Sequence, residues 1–125
     1  MILGAGVDLL EVERVRREIR RGGAAFEAGV FTPAEIAYCR GKRYPARHFA
    51  ARFAAKEAVL KALGMGGLDL SVWRLVEIGR GRTGRPEVRL HGRVRAFARG
   101  RKVRRIAASL SHTGGMAAAW AVAEA

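Results

Sequence analysis

Glu57 and Lys61 lie four residues apart in the segment 49–64, whose apolar spacing predicts one amphipathic helix. Residues at this spacing project from one helical face with Cβ atoms about 5–6 Å apart, so the carboxylate and the ammonium would stand side by side. Such a pair can hold a metal ion and a phosphate together. The alternative is a plain surface ion pair, which is common and contributes only about 0.3–0.5 kcal/mol.

Asp8 supplies a second carboxylate, at the end of an apolar run over residues 2–7 that suits a buried strand. A carboxylate in that position costs free energy unless it is paired, bound to a metal or capping a helix. Asp8-Leu9-Leu10-Glu11 fits a capping pattern, which is the simpler interpretation of this segment by itself. Two carboxylates from different elements are nevertheless what Mg²⁺ uses, since it binds one or two carboxylates together with water and substrate phosphates.

Weaker candidates lie in the second half of the chain. The loop at 79–86 combines glycine with arginine, which suits phosphate, but it lacks a phosphate-loop motif and a solvated hairpin turn is the alternative. His112 is a lone histidine, which is more often structural than catalytic. The basic stretch 89–105 could follow a nucleic-acid backbone. Because only Phe97 is interleaved there as an aromatic, a solvated charged face is favoured.

The elements that would position these residues begin with helices. A helix is predicted over 11–21, ending at Gly22-Gly23, and Thr32-Pro33-Ala34-Glu35 starts a second helix that runs to about Arg40. Pro45 opens the long central helix and Gly64 closes it. The expected inward residues are Val12, Val15 and Ile19 on the first helix and Phe49, Phe53, Leu60 and Leu63 on the central one. The expected outward or peripheral residues are Arg14, Arg17 and Arg21 on the first helix and Arg52, Lys56, Glu57 and Lys61 on the central one.

The second half reads mostly as strands. We predict strands at 75–78, 87–90, 105–111 and 116–122, a short basic helix at 92–99, and a turn over 111–115. No internal repeat or interdomain linker is visible, so residues 1–125 are expected to form one domain. One strand, then helices, then mostly antiparallel strands predicts the α+β class.

Composition limits the cellular locations that are expected for this protein. Half of the 125 residues are hydrophobic, which argues against disorder, and no apolar run approaches the roughly 20 residues of a membrane helix. Residues 1–10 lack a charged start and are followed by Glu11 and Glu13, unlike a signal peptide. The single cysteine, Cys39, excludes an intramolecular disulfide and a thiolate metal site of its own. A cytoplasmic protein without membrane insertion is therefore expected.

The charge balance favours polyanionic partners. The formal net charge is +13, which suits nucleic acid, phosphorylated cofactors, acidic proteins or anionic lipid. Most of this charge is arginine in a chain that is also rich in alanine and glycine, a bias that a GC-rich coding sequence produces without selection for binding. Charge alone therefore decides little.

Three segments in this order resemble a known family. Gly6 to Arg14, Arg52 to Ala62 and Ser109 to Thr113 are similar to the motifs of holo-acyl-carrier-protein synthase, the small, single-domain type of 4′-phosphopantetheinyl transferase. Gly84-Arg85-Pro86 is similar to the family's glycine-basic-proline turn. The resemblance covers essentially the whole chain. It implies the family's fold, with an N-terminal strand and a long central helix wrapped by a small, mostly antiparallel sheet.

The resemblance implies a reaction and its residues. Coenzyme A would give its 4′-phosphopantetheine arm to a serine of apo acyl carrier protein, releasing 3′,5′-ADP, in support of fatty-acid biosynthesis. Asp8 and Glu57 would bind Mg²⁺, and Lys61 would stabilise or protonate the leaving phosphate. The base that accepts the serine proton stays open between Glu57 and a metal-bound water. The residues expected to contact coenzyme A are Arg52, Gly84, Arg85, Pro86, His112 and Thr113.

The resemblance also implies partners. Acyl carrier proteins are acidic, and the family presents its first helix to them, which assigns docking to Arg14 with help from Arg17 and Arg21. A homotrimer with active sites between subunits is expected. Gly114-Gly115 departs from the polar or charged residues that the family often carries there, which affects the nucleotide contacts.

Two rival functions remain from the sequence. A basic nucleic-acid-binding module would give no reason for Asp8, Glu57 and Lys61 to occur in these contexts. A catalytically dead homologue that only docks carrier proteins would not need these three residues intact. Nucleic acid is therefore not expected as a partner.

Overall fold

The computed structural model describes residues 1–65 and 70–125. One strand is followed by three helices, and the remaining strands all pair antiparallel, so the predicted α+β class is confirmed. The elements are β1 (Ile2–Glu11), α1 (Val12–Val30), α2 (Pro33–Arg40), α3 (Pro45–Leu63), a short 3₁₀ helix (Leu70–Leu75), β2 (Val76–Arg80), β3 (Pro86–Leu90), α4 (Gly92–Gly100), β4 (Arg105–Thr113) and β5 (Met116–Glu124).

The strands form two antiparallel sheets among the described residues. One sheet has the order β1-β5-β4, and β2 pairs with β3 in a separate hairpin. The larger sheet lies against α3, and the small side chains of β5 make this contact possible, because Ala117, Ala119, Ala121 and Ala123 are all buried. The predicted central helix wrapped by a small antiparallel sheet is confirmed.

Local signals predicted the helix ends well. Thr32 accepts from the Glu35 amide while the Glu35 side chain accepts from the Thr32 amide, so the predicted capping box is present. α3 begins at Pro45 and ends at Gly64, whose φ of 78° lies in the left-handed region that glycine tolerates. At these two helices the signals succeed because the caps are local interactions between neighbouring residues.

Two of the boundaries that differ from the prediction affect the long first helix and the turn near the C-terminus. α1 does not end at Gly22-Gly23; it kinks at Gly23, where φ is 54°, and then continues to Val30. β4 continues to Thr113, so the turn is confined to Gly114-Gly115 rather than to 111–115. His112 and Thr113 therefore lie on a strand, because pairing with β5 extends β4 beyond its apolar stretch.

The amphipathic interpretation of α3 was wrong in part. Phe49, Leu60 and Leu63 are buried as predicted, but Lys56 and Arg52 are buried as well. The helix is surrounded by the large sheet on one side and by α1, α2 and β2 on others. It therefore has little polar face, and its charged residues must find partners inside the protein.

Lys56 forms a buried ion pair with Glu35. Its Nζ donates to Glu35 Oε1 at 2.7 Å and to the backbone oxygens of Trp73 at 2.9 Å and Val76 at 2.6 Å. The second Glu35 oxygen accepts from the Ile78 amide at 2.7 Å. Burial lowers the pKa of Lys56 from its ordinary value, and the adjacent Glu35 carboxylate opposes that shift. Because each charge is hydrogen-bonded, the pair can tie α2, α3 and β2 together without an unpaired buried charge.

β1 and α3 meet backbone to backbone at two glycines. A Cβ atom on Gly6 would lie 2.0 Å from the Ala58 oxygen, and one on Gly4 would lie 2.1 Å from the Ala62 oxygen. No side chain fits at either position. The alternation of strand residues then directs Asp8, two residues beyond Gly6, toward the same helix.

Gly6→Ala should destabilise the protein by about 1–3 kcal/mol or more, because the added methyl group forces β1 away from α3. The measurement is the free energy of unfolding from urea titration followed by circular dichroism. Gly29→Ala is the matched control, since a Cβ atom there meets nothing within 4 Å. It should be neutral or stabilising by up to about 1 kcal/mol. Equal stability of the two variants would refute the close contact.

Candidate active site

Asp8 and Lys61 are joined across the contact between β1 and α3. Lys61 Nζ donates to Asp8 Oδ1 at 3.2 Å and to the Val7 backbone oxygen at 3.0 Å. The Asp8 side chain is 19% exposed and that of Lys61 is 47% exposed. The pair therefore lies at the surface, where a substrate can reach the ammonium group.

The capping interpretation of Asp8 was wrong. The residue that precedes α1 is Glu11, and it makes no side-chain cap hydrogen bond. Asp8 instead lies within β1, opposite Ala119 of β5. The strand is longer than the apolar run 2–7 because its backbone pairs with β5 well beyond that run.

Glu57, on α3, is the third member of the predicted cluster of Asp8, Glu57 and Lys61. It lies one helical turn before Lys61. Its partner in the structure is Trp73, whose indole Nε1 donates to Glu57 Oε1. The simple Glu57–Lys61 surface pair is thus not what forms, because the ammonium turns to Asp8. The structure therefore joins Asp8 to Lys61, while Glu57 lies one helical turn from Lys61 and contacts Trp73.

The donor set suits a hard cation that also has phosphate ligands. Within 1–65 and 70–125, no group of three or more His, Cys, Asp and Glu side chains could hold a metal ion. Asp8 and Glu57 contribute two carboxylates from different elements. Mg²⁺ is bound in this way when substrate phosphates and water supply its other ligands, so the residues fit Mg²⁺ as part of a complex with a phosphorylated substrate.

A polar cavity of about 240 Å³ lies between α3, the β2–β3 hairpin and β4. It brings together four of the six residues predicted for coenzyme A, which are Arg52, Gly84, Pro86 and His112. Arg85 lines a neighbouring groove between β3 and β4, and Thr113 is exposed at the end of β4. The structure of one chain thus does not place these two in the cavity.

Arg52 has the properties of an anion-binding residue. It is buried, its guanidinium carbon lies 3.8 Å from the centre of the Tyr38 ring, and its Nε has no hydrogen-bond partner. Arg80 approaches the same ring at 5.4 Å. A buried donor without a partner costs free energy. The positive charge of the guanidinium lies in a residue that lines the cavity, which suits an anionic ligand there.

Tyr38, His48 and Arg80 line this cavity and were missed as individual candidates. The His48 and His112 rings meet edge to face, with centroids 5.4 Å apart. Burial, and then the nearby charges of His112 and Arg52, lower the pKa of His48 below its ordinary value, so this ring favours its neutral form. The sequence carries no local signal for these residues, because they come from separate elements that meet only in the folded chain.

The predicted carrier-binding arginines line the outer side of α1. Arg14, Arg17 and Arg21 are exposed as predicted. Arg14 also borders an apolar cavity of about 350 Å³, whose wall includes Phe53 and Trp73. The basic helix therefore lies beside the residue that contacts Glu57.

The family model described as the 4′-phosphopantetheinyl transferase superfamily matches residues 4–121. This chain belongs to that superfamily. Its members include a holo-acyl-carrier-protein synthase from Moorella thermoacetica, which is 50% identical over 98% of this chain and 94% of that protein. One from Koribacter versatilis is 46% identical over 90% of each chain.

Solved structures of the superfamily share the fold. Holo-acyl-carrier-protein synthase from Neisseria meningitidis superposes with a TM-score of 0.90 at 31% identity, over the full length of both chains. The Helicobacter pylori protein, solved in complex with coenzyme A, gives 0.81 at 26% identity over 96% of this chain and 99% of that one. The transferase fold and the family resemblance are confirmed. No helix in the described part of the chain is long and apolar enough to cross a membrane.

Proposed function

We propose that this chain transfers 4′-phosphopantetheine from coenzyme A to a serine of apo acyl carrier protein in the cytoplasm, in support of fatty-acid biosynthesis. The serine oxygen forms a bond to the phosphorus that carries the pantetheine arm, and the bond between that phosphorus and the bridging diphosphate oxygen breaks. The serine loses its proton, and 3′,5′-ADP leaves. The observation that carries this proposal is the contact between Asp8 and Lys61 where β1 meets α3, with Glu57 one helical turn before Lys61.

Charge neutralisation and positioning lower the barrier of such transfers. Mg²⁺ bound by Asp8 and Glu57 would neutralise charge on the coenzyme A diphosphate. Lys61 would meet the leaving phosphate, since its ammonium is half-exposed and held in place by Asp8 and the Val7 oxygen. Glu57 is a candidate for the base that accepts the serine proton.

The polar cavity is proposed to bind the nucleotide end of coenzyme A. Arg52 would pair with a phosphate through its guanidinium group, and Gly84 and Pro86 would contact the adenine side. His112 would contact the nucleotide from β4. Arg85 and Thr113 flank this cavity and would reach the ligand at its edges.

Arg14, Arg17 and Arg21 are proposed to dock the acidic carrier protein. All three are exposed on one helix, and Arg14 borders the apolar cavity whose wall includes Trp73, the partner of Glu57. Attraction of this kind steers association and falls off over a Debye length of about 8 Å at physiological salt. The nucleic-acid alternative is less favoured because it leaves the carboxylate cluster without a role.

We also propose a homotrimer with sites between subunits. The outer face of the large sheet carries Leu9 at 66% exposure and Trp120 at 57% exposure, together with Val7 opposite Trp120. Exposed apolar surfaces of this kind mark protein interfaces. Light scattering should give three times the 13.6 kDa chain mass, and Trp120→Glu should lower it. A monomeric wild-type protein would contradict the proposal.

The transfer itself is tested by intact-mass spectrometry of apo acyl carrier protein incubated with this protein, coenzyme A and Mg²⁺. A gain of one phosphopantetheine group is expected with Mg²⁺ and none in excess chelator. Asp8→Asn and Glu57→Gln should each lower the rate by about 100-fold or more, because each removes a ligand charge from the diphosphate site. Circular dichroism checks that both variants fold. Full activity in chelator would refute the metal role.

Arg14→Glu should raise the KM for carrier protein about tenfold and leave the KM for coenzyme A unchanged, because reversal of one docking charge weakens only the acidic partner. Arg99→Glu is the matched control, since it makes the same change in net charge on an exposed residue of α4. Steady-state kinetics at two salt concentrations provide the measurement. Equal KM values for the two variants would contradict docking through α1.

A further inference from the structure

The contacts of Glu57 assign a role to a residue that the sequence did not single out. We propose that Trp73 is a positioning residue, whose indole N–H holds one oxygen of the Glu57 carboxylate and so directs the other toward the divalent cation. This inference rests on the proposed function, in which Glu57 is a metal ligand.

The indole is held by packing as well as by its hydrogen bond. Nε1 donates to Glu57 Oε1, and the ring lies against Phe53 with centroids 4.8 Å apart and a tilt of 53°. Phe53 precedes Glu57 by one helical turn on α3. The indole therefore contacts two successive turns of the same helical face, which fixes its orientation relative to the carboxylate.

The backbone of Trp73 is anchored independently. Its oxygen accepts from Lys56 Nζ at 2.9 Å, and the same ammonium bonds the Val76 oxygen at 2.6 Å. Lys56 is itself fully buried and paired with Glu35. Lys56, the neighbour of Glu57 on α3, thus holds the backbone of Trp73. The position of the indole is therefore fixed by contacts with the protein core.

A neutral donor is well suited to this task. An indole N–H orients a carboxylate without cancelling its charge, whereas a cationic donor would compete with the metal ion. The two carboxylates of the cluster differ in this respect, since Asp8 is met by the Lys61 ammonium. Hydrogen bonds that orient a ligand typically change metal affinity or activity by about 10–100-fold.

The test uses Mn²⁺ as a spectroscopic probe for the divalent cation. Free Mn²⁺ is measured by electron paramagnetic resonance in titrations of the full-length protein at a fixed coenzyme A concentration. Trp73→Phe keeps an aromatic ring against Phe53 but loses the N–H. We expect Mn²⁺ binding to weaken about tenfold and the Mg²⁺ concentration for half-maximal transfer to rise similarly. The KM for carrier protein should stay within about twofold.

A double variant separates positioning from general damage. Glu57→Gln should weaken Mn²⁺ binding and lower the transfer rate, and adding Trp73→Phe to it should not lower the residual transfer rate further, because no ligand carboxylate remains for the indole to orient. Independent, multiplicative losses would overturn the proposal and assign Trp73 to packing alone.

If Trp73→Phe folds poorly, an isosteric replacement tests whether the indole N–H contributes to Mn²⁺ affinity. Benzothienylalanine incorporated at position 73 keeps the shape of the indole and replaces its N–H with sulfur. The same tenfold loss of Mn²⁺ affinity would support the hydrogen bond, and wild-type affinity would overturn it. If the wild-type protein transfers phosphopantetheine and binds Mn²⁺, and the two proteins altered only at position 73 bind Mn²⁺ equally well, only this inference fails. If the wild type neither binds Mn²⁺ nor transfers, the proposed function fails with it.

Discussion

The backbone contact between β1 and α3 is the constraint on which the candidate site depends. Gly4 and Gly6 let the strand lie so close to the helix that no Cβ atom fits between them. Asp8 follows on the same strand, and its carboxylate reaches Lys61 across this contact. A wider separation would part the two elements that supply the reactive groups, even if every residue of the cluster were retained.

Two lysines on α3 differ in their surroundings, and this difference determines whether each ammonium is available to a ligand. Lys56 is fully buried, and its ammonium is saturated by Glu35 and two backbone oxygens, so it serves the core. Lys61 is half-exposed and shares its ammonium between Asp8 and one backbone oxygen. Of the two lysines, only Lys61 can exchange a partner for an external anion without leaving a buried charge unpaired.

The polar cavity between α3 and β4 contains a buried charge that is not paired in the same way as Lys56. Arg52 is buried without a partner for its Nε, and its guanidinium rests on the Tyr38 ring. The guanidinium of Arg52 is therefore buried beside the cavity without an acidic partner among the described residues.

The sequence by itself determined the features that depend on neighbouring residues. The capping box at Thr32 and Glu35 and the end of α3 at Gly64 are local interactions, and the motif residues Asp8, Glu57 and Lys61 were identified by type and context. Tertiary structure alone decided that Asp8 lies within a strand, that Lys56 is buried, and that Trp73 contacts Glu57. These outcomes depend on strand pairing and on packing around α3 from all sides, which helical periodicity does not encode.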